Sequence, residues 1–231
     1  MEGLNLCLQA VTQPGDLIAV ESPTFYAGLQ ASERLGLKVI EIPSHPREGV
    51  SLAALDDALR HYPVKACLFM LNFANPTGSL VPDEARQALL ALLRRHDVPL
   101  IEDDVYAELH FGQRAPLSSK AVDTTGLVMH VSSFSKSLAP GYRAGWVAAG
   151  RFARQVQRLK LMSTLSTAIP SQLALADFLQ SGGFDRHLRQ MRQTLAERQA
   201  LALRLIAEHF PPGTRVTRPE GGYFLWAELP P

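Results

Sequence analysis

Six short apolar runs punctuate the first 150 residues: Leu17–Glu21, Lys38–Ile42, Lys65–Leu71, Leu100–Asp103, Val128–Phe134 and Ala144–Ala149. Several are nearly continuous in apolar residues rather than alternating with polar ones, the pattern of strands buried on both faces of a sheet. Helical patterns lie between them. Asp83–His96 is the clearest: Ala85, Ala88, Leu89, Leu92 and Leu93 recur at one-turn spacing. Acids (Asp83, Glu84) open that segment and bases (Arg94, Arg95, His96) close it, in the sense the helix dipole favours. Ser51 is placed to cap a helix reaching Arg60, and Leu4, Leu6, Leu8 and Val11 mark an apolar helix at the start. Strand–helix alternation predicts an α/β domain with a mainly parallel sheet.

Beyond Gly150 the pattern is helical only. Helices are expected over Arg151–Leu161 and Ser171–Gln180, then a long one from Phe184 to about Phe210, where Pro211-Pro212 ends it. Arg186, Arg189, Arg192 and Arg198 on the long helix are interspersed with acids and read as a solvated face rather than a nucleic-acid surface. Tyr223–Trp226 reads as a strand-like run with nothing after it to pair with. This divides the chain into a large domain over 1–183, and a connecting helix with the start of a small α+β domain over 184–231. Both ends read as cut from something longer.

Composition excludes more than it identifies. Among 231 residues, 23 basic side chains face 22 acidic ones, a net charge of +1, so no field of one sign draws the chain onto DNA or a membrane. No apolar run approaches the roughly 20 residues of a membrane span, and the opening MEGLNLCLQA lacks the basic start of a signal peptide. Cys7 and Cys67 sit in separate apolar runs and read as small buried hydrophobes, in keeping with a reducing cytoplasm.

In a parallel α/β sheet, ligands bind beyond the carboxyl ends of the strands. Three runs deliver polar residues there: Asn72–Gly78, rich in turn formers; Glu102–Tyr106; and Ser135-Lys136 followed by Pro140–Arg143. These types suit pyridoxal 5′-phosphate part by part. A lysine amine forms a Schiff base with the aldehyde. A carboxylate keeps the pyridine nitrogen protonated. An amide and a phenol hydrogen-bond the ring hydroxyl, serines and an arginine fork take the phosphate, and an aromatic face stacks on the ring. Glu102-Asp103-Asp104 invites a magnesium reading, but strand alternation sends neighbouring side chains to opposite faces, so no metal is expected. Asp104 is expected to be a solvated neighbour. Ser133-x-x-Lys136 fits an acyl-enzyme pattern whose S-D-N and K-T-G partners are missing.

Taken in order, five blocks resemble fold-type I aminotransferases along essentially the whole chain. Ser22-Pro23-Thr24-Phe25 is similar to the segment whose aromatic stacks on the cofactor, which implies Phe25 there. Asn75-Pro76-Thr77-Gly78 resembles the family's N-P-T-G, implying Asn75 at the ring hydroxyl. Asp103-x-x-Tyr106 resembles its D-x-x-Y pair, implying Asp103 at the pyridine nitrogen and Tyr106 at the hydroxyl. Ser133-Phe134-Ser135-Lys136 resembles S-F-S-K, implying Lys136 as the Schiff-base lysine with Ser133 and Ser135 near the phosphate. Arg143 then falls at the phosphate-binding arginine. The finer resemblance is to kynurenine and aminoadipate aminotransferases and to MocR-type regulators, which join a GntR-type winged helix to an aminotransferase-like domain. It implies an aspartate-aminotransferase-like three-layer α/β/α domain with a mixed sheet. It further implies amino acid and 2-oxo acid substrates, a homodimer, and DNA contact only through a domain outside this chain. Elements of the family pattern that cradle the phosphate at the first helix and grip the substrate carboxylate have no match here.

Overall fold

A computed structural model describes residues 1–230. In chain order the elements are α1 (Glu2–Val11), β1 (Leu17–Ser22), α2 (Tyr26–Arg34), β2 (Lys38–His45), β3 (Gly49–Val50), α3 (Leu52–His61), β4 (Val64–Phe69), α4 (Asp83–His96), β5 (Leu100–Asp103), α5 (Ser119–Val122), β6 (Val128–Ser133), β7 (Gly145–Ala148), α6 (Ala153–Thr164), α7 (Ile169–Gln180), α8 (Gly183–His209), β8 (Arg215–Val216) and β9 (Ala227–Glu228). Seven strands form one sheet in the order β3-β2-β1-β4-β5-β6-β7. The central five run parallel, and β3 and β7 close the edges antiparallel.

Local chemistry accounts for the boundaries. The Ser51 hydroxyl accepts from the Ala54 amide at 3.3 Å and caps α3. Helix α4 has the bounds its periodicity and charges predict, and ends on Asp97 in a left-handed conformation (φ 52°). Three short elements, α2, β3 and α5, had no clear pattern to announce them. Two expectations need correction. The region after Gly150 is not purely helical, because β8 and β9 form a small antiparallel pair. Tyr223–Trp226 is not a strand either. It lies against the main sheet's carboxyl edge, and its last residue accepts a backbone hydrogen bond from Thr217.

Strand alternation sorts the core into two layers. One face of the sheet carries Ala19, Cys67, Phe69, Leu100 and Val128 against Leu55 and Leu59 of α3 and Leu89, Leu92 and Leu93 of α4. The other carries Ile18, Val20, Leu68, Ile101, Met129 and Val131 against α1 and Val156 of α6. Each fully buried leucine contributes about 1.5–3 kcal/mol, so the two layers fix which way each strand's side chains point. A third cluster (Met70, Phe73, Tyr106, Leu109, with Leu188 of α8) sits at the carboxyl edge and ties α8 to the strand ends. Both cysteines are buried and free. No helix among the described residues is long and apolar enough to cross a membrane.

Candidate functional site

Beyond the carboxyl ends of β4, β5 and β6 lies a cavity of about 490 Å³. Phe25, Asp103, Tyr106, Ser133, Ser135, Lys136 and Arg143 all line it. Of the eight residues singled out in the sequence, only Asn75 is not on its wall. It sits half-buried in the turn after β4, its amide directed at the Tyr106 phenol.

Asp103 ends β5 and faces the α1 side, as alternation from Ile101 requires. It is buried, and Oδ1 has no hydrogen-bond partner among the described residues. Burial lifts its pKa to about 6, and the Asp104 carboxylate adds to the rise. Tyr106 follows on the turn out of the strand, 2% exposed. Burial first and the Asp103 charge second push its phenol to about 12, so it remains a hydrogen-bond donor at neutral pH. Rings of Tyr223 and Phe224 meet its edges at 5.9 and 5.5 Å.

Lys136 is presented by a helical turn after β6, in which the amides of Leu138 and Ala139 both donate to Phe134 O. Its side chain is exposed, with Nζ 6.0 Å from the Tyr106 ring centre. The Ser135 amide donates to Ser133 Oγ at 3.3 Å. Arg143 adopts a left-handed backbone (φ 51°) that turns its guanidinium back over this segment. There Nη1 donates to Ser135 Oγ at 3.3 Å and to Pro140 O at 3.0 Å. No acid pairs with Arg143 among the described residues, so its charge is left to the cavity. Gly145 lets β7 close on this turn: a Cβ there would stand 2.5 Å from Ser132 O. Phe25 caps α2 half-buried on the opposite wall.

Sequence reasoning missed three features. Asp104 is not solvated: it is buried, accepts from Asn72 Nδ2 at 2.9 Å, and pairs with His130 Nε2 at 2.9 Å. The same Asn72 accepts from Arg86, which also pairs with Glu102 at 3.1 Å. Arg86 itself was the available signal. It stands three residues before Leu89 and seven before Leu93 on the buried stripe of α4, and a buried arginine calls for a carboxylate. The second feature is Glu21 at the end of β1. It is 3% exposed, accepts from the Met70 amide at 2.9 Å, and is raised to about 8 by burial, against that hydrogen bond and with a further push from Asp103. The third is Tyr223, whose hydroxyl donates to Lys136 O at 2.6 Å; nothing in its local sequence marked it.

The family model for aminotransferase class I and II matches residues 1–231. The chain is 52% identical over 230 residues to the uncharacterized HTH-type transcriptional regulator YdcR of Escherichia coli, covering 100% of this chain and 49% of that protein. Among solved structures it resembles the kynurenine aminotransferase of Pyrococcus horikoshii (TM-score 0.94, 32% identity, 100% of this chain and 58% of that one). It also resembles LysN, the α-aminoadipate aminotransferase of Thermus thermophilus (TM-score 0.93, 30% identity, 99% and 59%). The chain thus spans about half the length of the curated relatives it matches. A mixed, mainly parallel sheet between helical layers, a lysine-bearing turn at its carboxyl edge and a family match from end to end lead to one conclusion: this chain belongs to the class I and II aminotransferase family, with the α/β fold of the fold-type I large domain.

Proposed function

We propose that this chain is a pyridoxal 5′-phosphate-binding aminotransferase domain that moves an amino group between an amino acid and a 2-oxo acid. One observation carries the reading: a buried Asp103, one of whose carboxylate oxygens has no partner among the described residues, and the Lys136 side chain line the same cavity. An orphaned, desolvated Asp103 oxygen is costly unless a cation or N–H meets it, and the protonated ring nitrogen of this cofactor is such a group. When bound, the cofactor supplies an aldehyde that condenses with amines, with loss of water, and a ring that accepts an electron pair.

The chain's own residues divide the remaining work. Asp103 holds the ring nitrogen's proton. Tyr106 would donate to the ring hydroxyl, with Asn75 reaching it once its amide turns from the Tyr106 phenol; Phe25 would cover a ring face, and Ser133, Ser135 and Arg143 would hold the phosphate, the Arg143 guanidinium supplying the charge. Lys136 Nζ holds the cofactor at rest. As a free amine it would take the proton from the α-carbon of a bound amino acid. We further propose the division at 183/184 between a large domain and the start of a small one, a homodimeric assembly, and a cytoplasmic setting.

A second reading is favoured by the 52% identity to an HTH-type regulator. In it the same site binds cofactor and amino acid as a sensor, and DNA is met by a domain outside this chain. Incubating the cofactor-loaded full-length protein with a panel of amino acids separates the two. Stoichiometric or greater release of 2-oxo acid supports the transferase; retention of the amino acid without release supports the sensor. Failure of the protein to take up cofactor contradicts both.

A further inference from the structure

We infer that Tyr223 is a positioning residue for Lys136, fixing the backbone of the lysine so that its amine is presented to the cavity; this rests on the cofactor-holding role proposed above. The Tyr223 hydroxyl donates to Lys136 O at 2.6 Å, and it is the one side-chain hydrogen bond to residue 136 among the described residues. Lys136 otherwise stands exposed on a short turn. A four-carbon stem on an exposed turn samples many rotamers. Anchoring its own carbonyl removes the backbone part of that freedom.

The approach of Tyr223 is built in by two glycines. A Cβ on Gly221 would stand 2.6 Å from Phe73 Cζ and 2.7 Å from Leu109 O. Gly222 has φ +78°, and a Cβ there would stand 2.9 Å from Phe73 Cβ. Only glycine lets the backbone lie flush on this edge, where the Gly222 amide donates to Leu109 O at 3.0 Å and the Phe111 amide donates to Glu220 O at 2.7 Å. The next residue is thereby turned onto the lysine. Its ring is braced edge-on by Tyr106. The neighbouring carbonyl, Ser137 O, lies 3.1 Å from His187 Nε2 on α8. Two successive carbonyls of the lysine turn are therefore contacted by side chains that come from beyond the main sheet.

The hydroxyl is not needed to dock this segment. Two backbone bonds at Glu220 and Gly222 hold it, together with Gln199 Nε2 donating to Pro219 O at 2.9 Å and Thr217 Oγ1 donating to Thr77 O at 3.2 Å. Burial raises the Tyr223 phenol, which therefore stays protonated as a donor at neutral pH. Removing the oxygen alone separates positioning from docking.

The test is a cycle in the full-length protein: wild type, Tyr223→Phe, Lys136→Ala and the double variant, each equilibrated with pyridoxal phosphate by dialysis and read by absorbance. Loss of one hydrogen bond on the lysine's own peptide should weaken cofactor retention about fivefold to tenfold in the Lys136 background. It should have no effect once Lys136 is alanine, with thermal midpoints of the cofactor-free protein unchanged throughout. Equal weakening in both backgrounds makes Tyr223 a docking residue and overturns the inference. So does full retention by Tyr223→Phe alongside a loss in Lys136→Ala. A wild type that takes up no cofactor defeats the functional reading itself, and this inference with it, before any variant is compared.

Discussion

Three consecutive acids leave β5 on its two sides, and the two sides treat them differently. Glu102 and Asp104 point toward α4 and are met by side chains: Arg86 at 3.1 Å for the first, the His130 ring nitrogen at 2.9 Å for the second, with Asn72 hydrogen-bonded to both Arg86 and Asp104. Asp103 points the other way, is almost equally buried, and has no side-chain cation paired with it among the described residues. Burying an ionised carboxylate without a partner is unfavourable by several kcal/mol. The side facing α4 is therefore a structural network whose side chains pair with one another, although Glu102 Oε2 and Arg86 Nε make no hydrogen bond among the described residues. On the side facing the cavity Asp103 has no partnering side chain among the described residues, and a cation or a hydrogen-bond donor would satisfy it.

Breaking the completed side should have the largest effect. Arg86→Met leaves Glu102 buried and uncompensated, and should lower stability by about 3–5 kcal/mol in chemical denaturation. Adding Glu102→Gln should recover most of that loss, because the orphaned charge is removed. On the incomplete side the opposite sign is expected. Asp103→Asn should leave the cofactor-free protein as stable or about 2 kcal/mol more stable at pH 8, since a raised carboxyl pKa is a penalty on the ionised form. The same variant should weaken cofactor binding about 10- to 100-fold, as a charge-assisted hydrogen bond is lost. A stabilised protein with poorer binding is the signature of a site strained for a ligand; parallel losses in both would make Asp103 one more member of the structural network.

Acidity sharpens the same contrast. Glu21 is raised to about 8 and Asp103 to about 6, both first by burial. The folded state therefore binds these protons more tightly than the unfolded chain, where carboxyls titrate near about 4. Stability must then fall as pH rises between the unfolded and folded values. Unfolding free energy of the cofactor-free protein should drop by about 1–3 kcal/mol from pH 6 to pH 8, and Glu21→Gln should flatten that slope. A profile that rises across this window contradicts the burial of a Glu21 that no cation pairs among the described residues. The smallest effect is expected at the wall: Tyr106→Phe keeps the packing but removes a donor, and should weaken cofactor binding about fivefold with little change in the thermal midpoint.

How much of this was legible in the sequence follows from what each feature depends on. Helix α4 was readable to the residue because its stripe, acidic start and basic end are all local. Seven of the eight site residues line one cavity because they lie at the ends of parallel strands or in the segments that follow them at the same edge, and strand order alone brings these together. Asp104 was misread because a polar residue after a strand looks solvated. Its burial depends on Asn72 and His130, 32 and 26 positions away. Tyr223 was invisible for the same reason: 87 positions separate it from the carbonyl it meets. The short elements α2, β3 and α5 carry too few residues for a period to emerge, and Tyr223–Trp226 looked like a strand because aromatic residues favour strands regardless of whether a partner exists.

The central claim is that Lys136 and Asp103 share one cofactor. Titrating pyridoxal phosphate into the full-length protein while recording its visible absorbance tests it most directly, with Lys136→Ala and Asp103→Asn alongside. The wild type should develop the band of a lysine-bound cofactor; Lys136→Ala should show none, and Asp103→Asn should show it only at higher cofactor concentration. A band that survives in Lys136→Ala, or wild type and Asp103→Asn titrations that superimpose, would contradict the assignment.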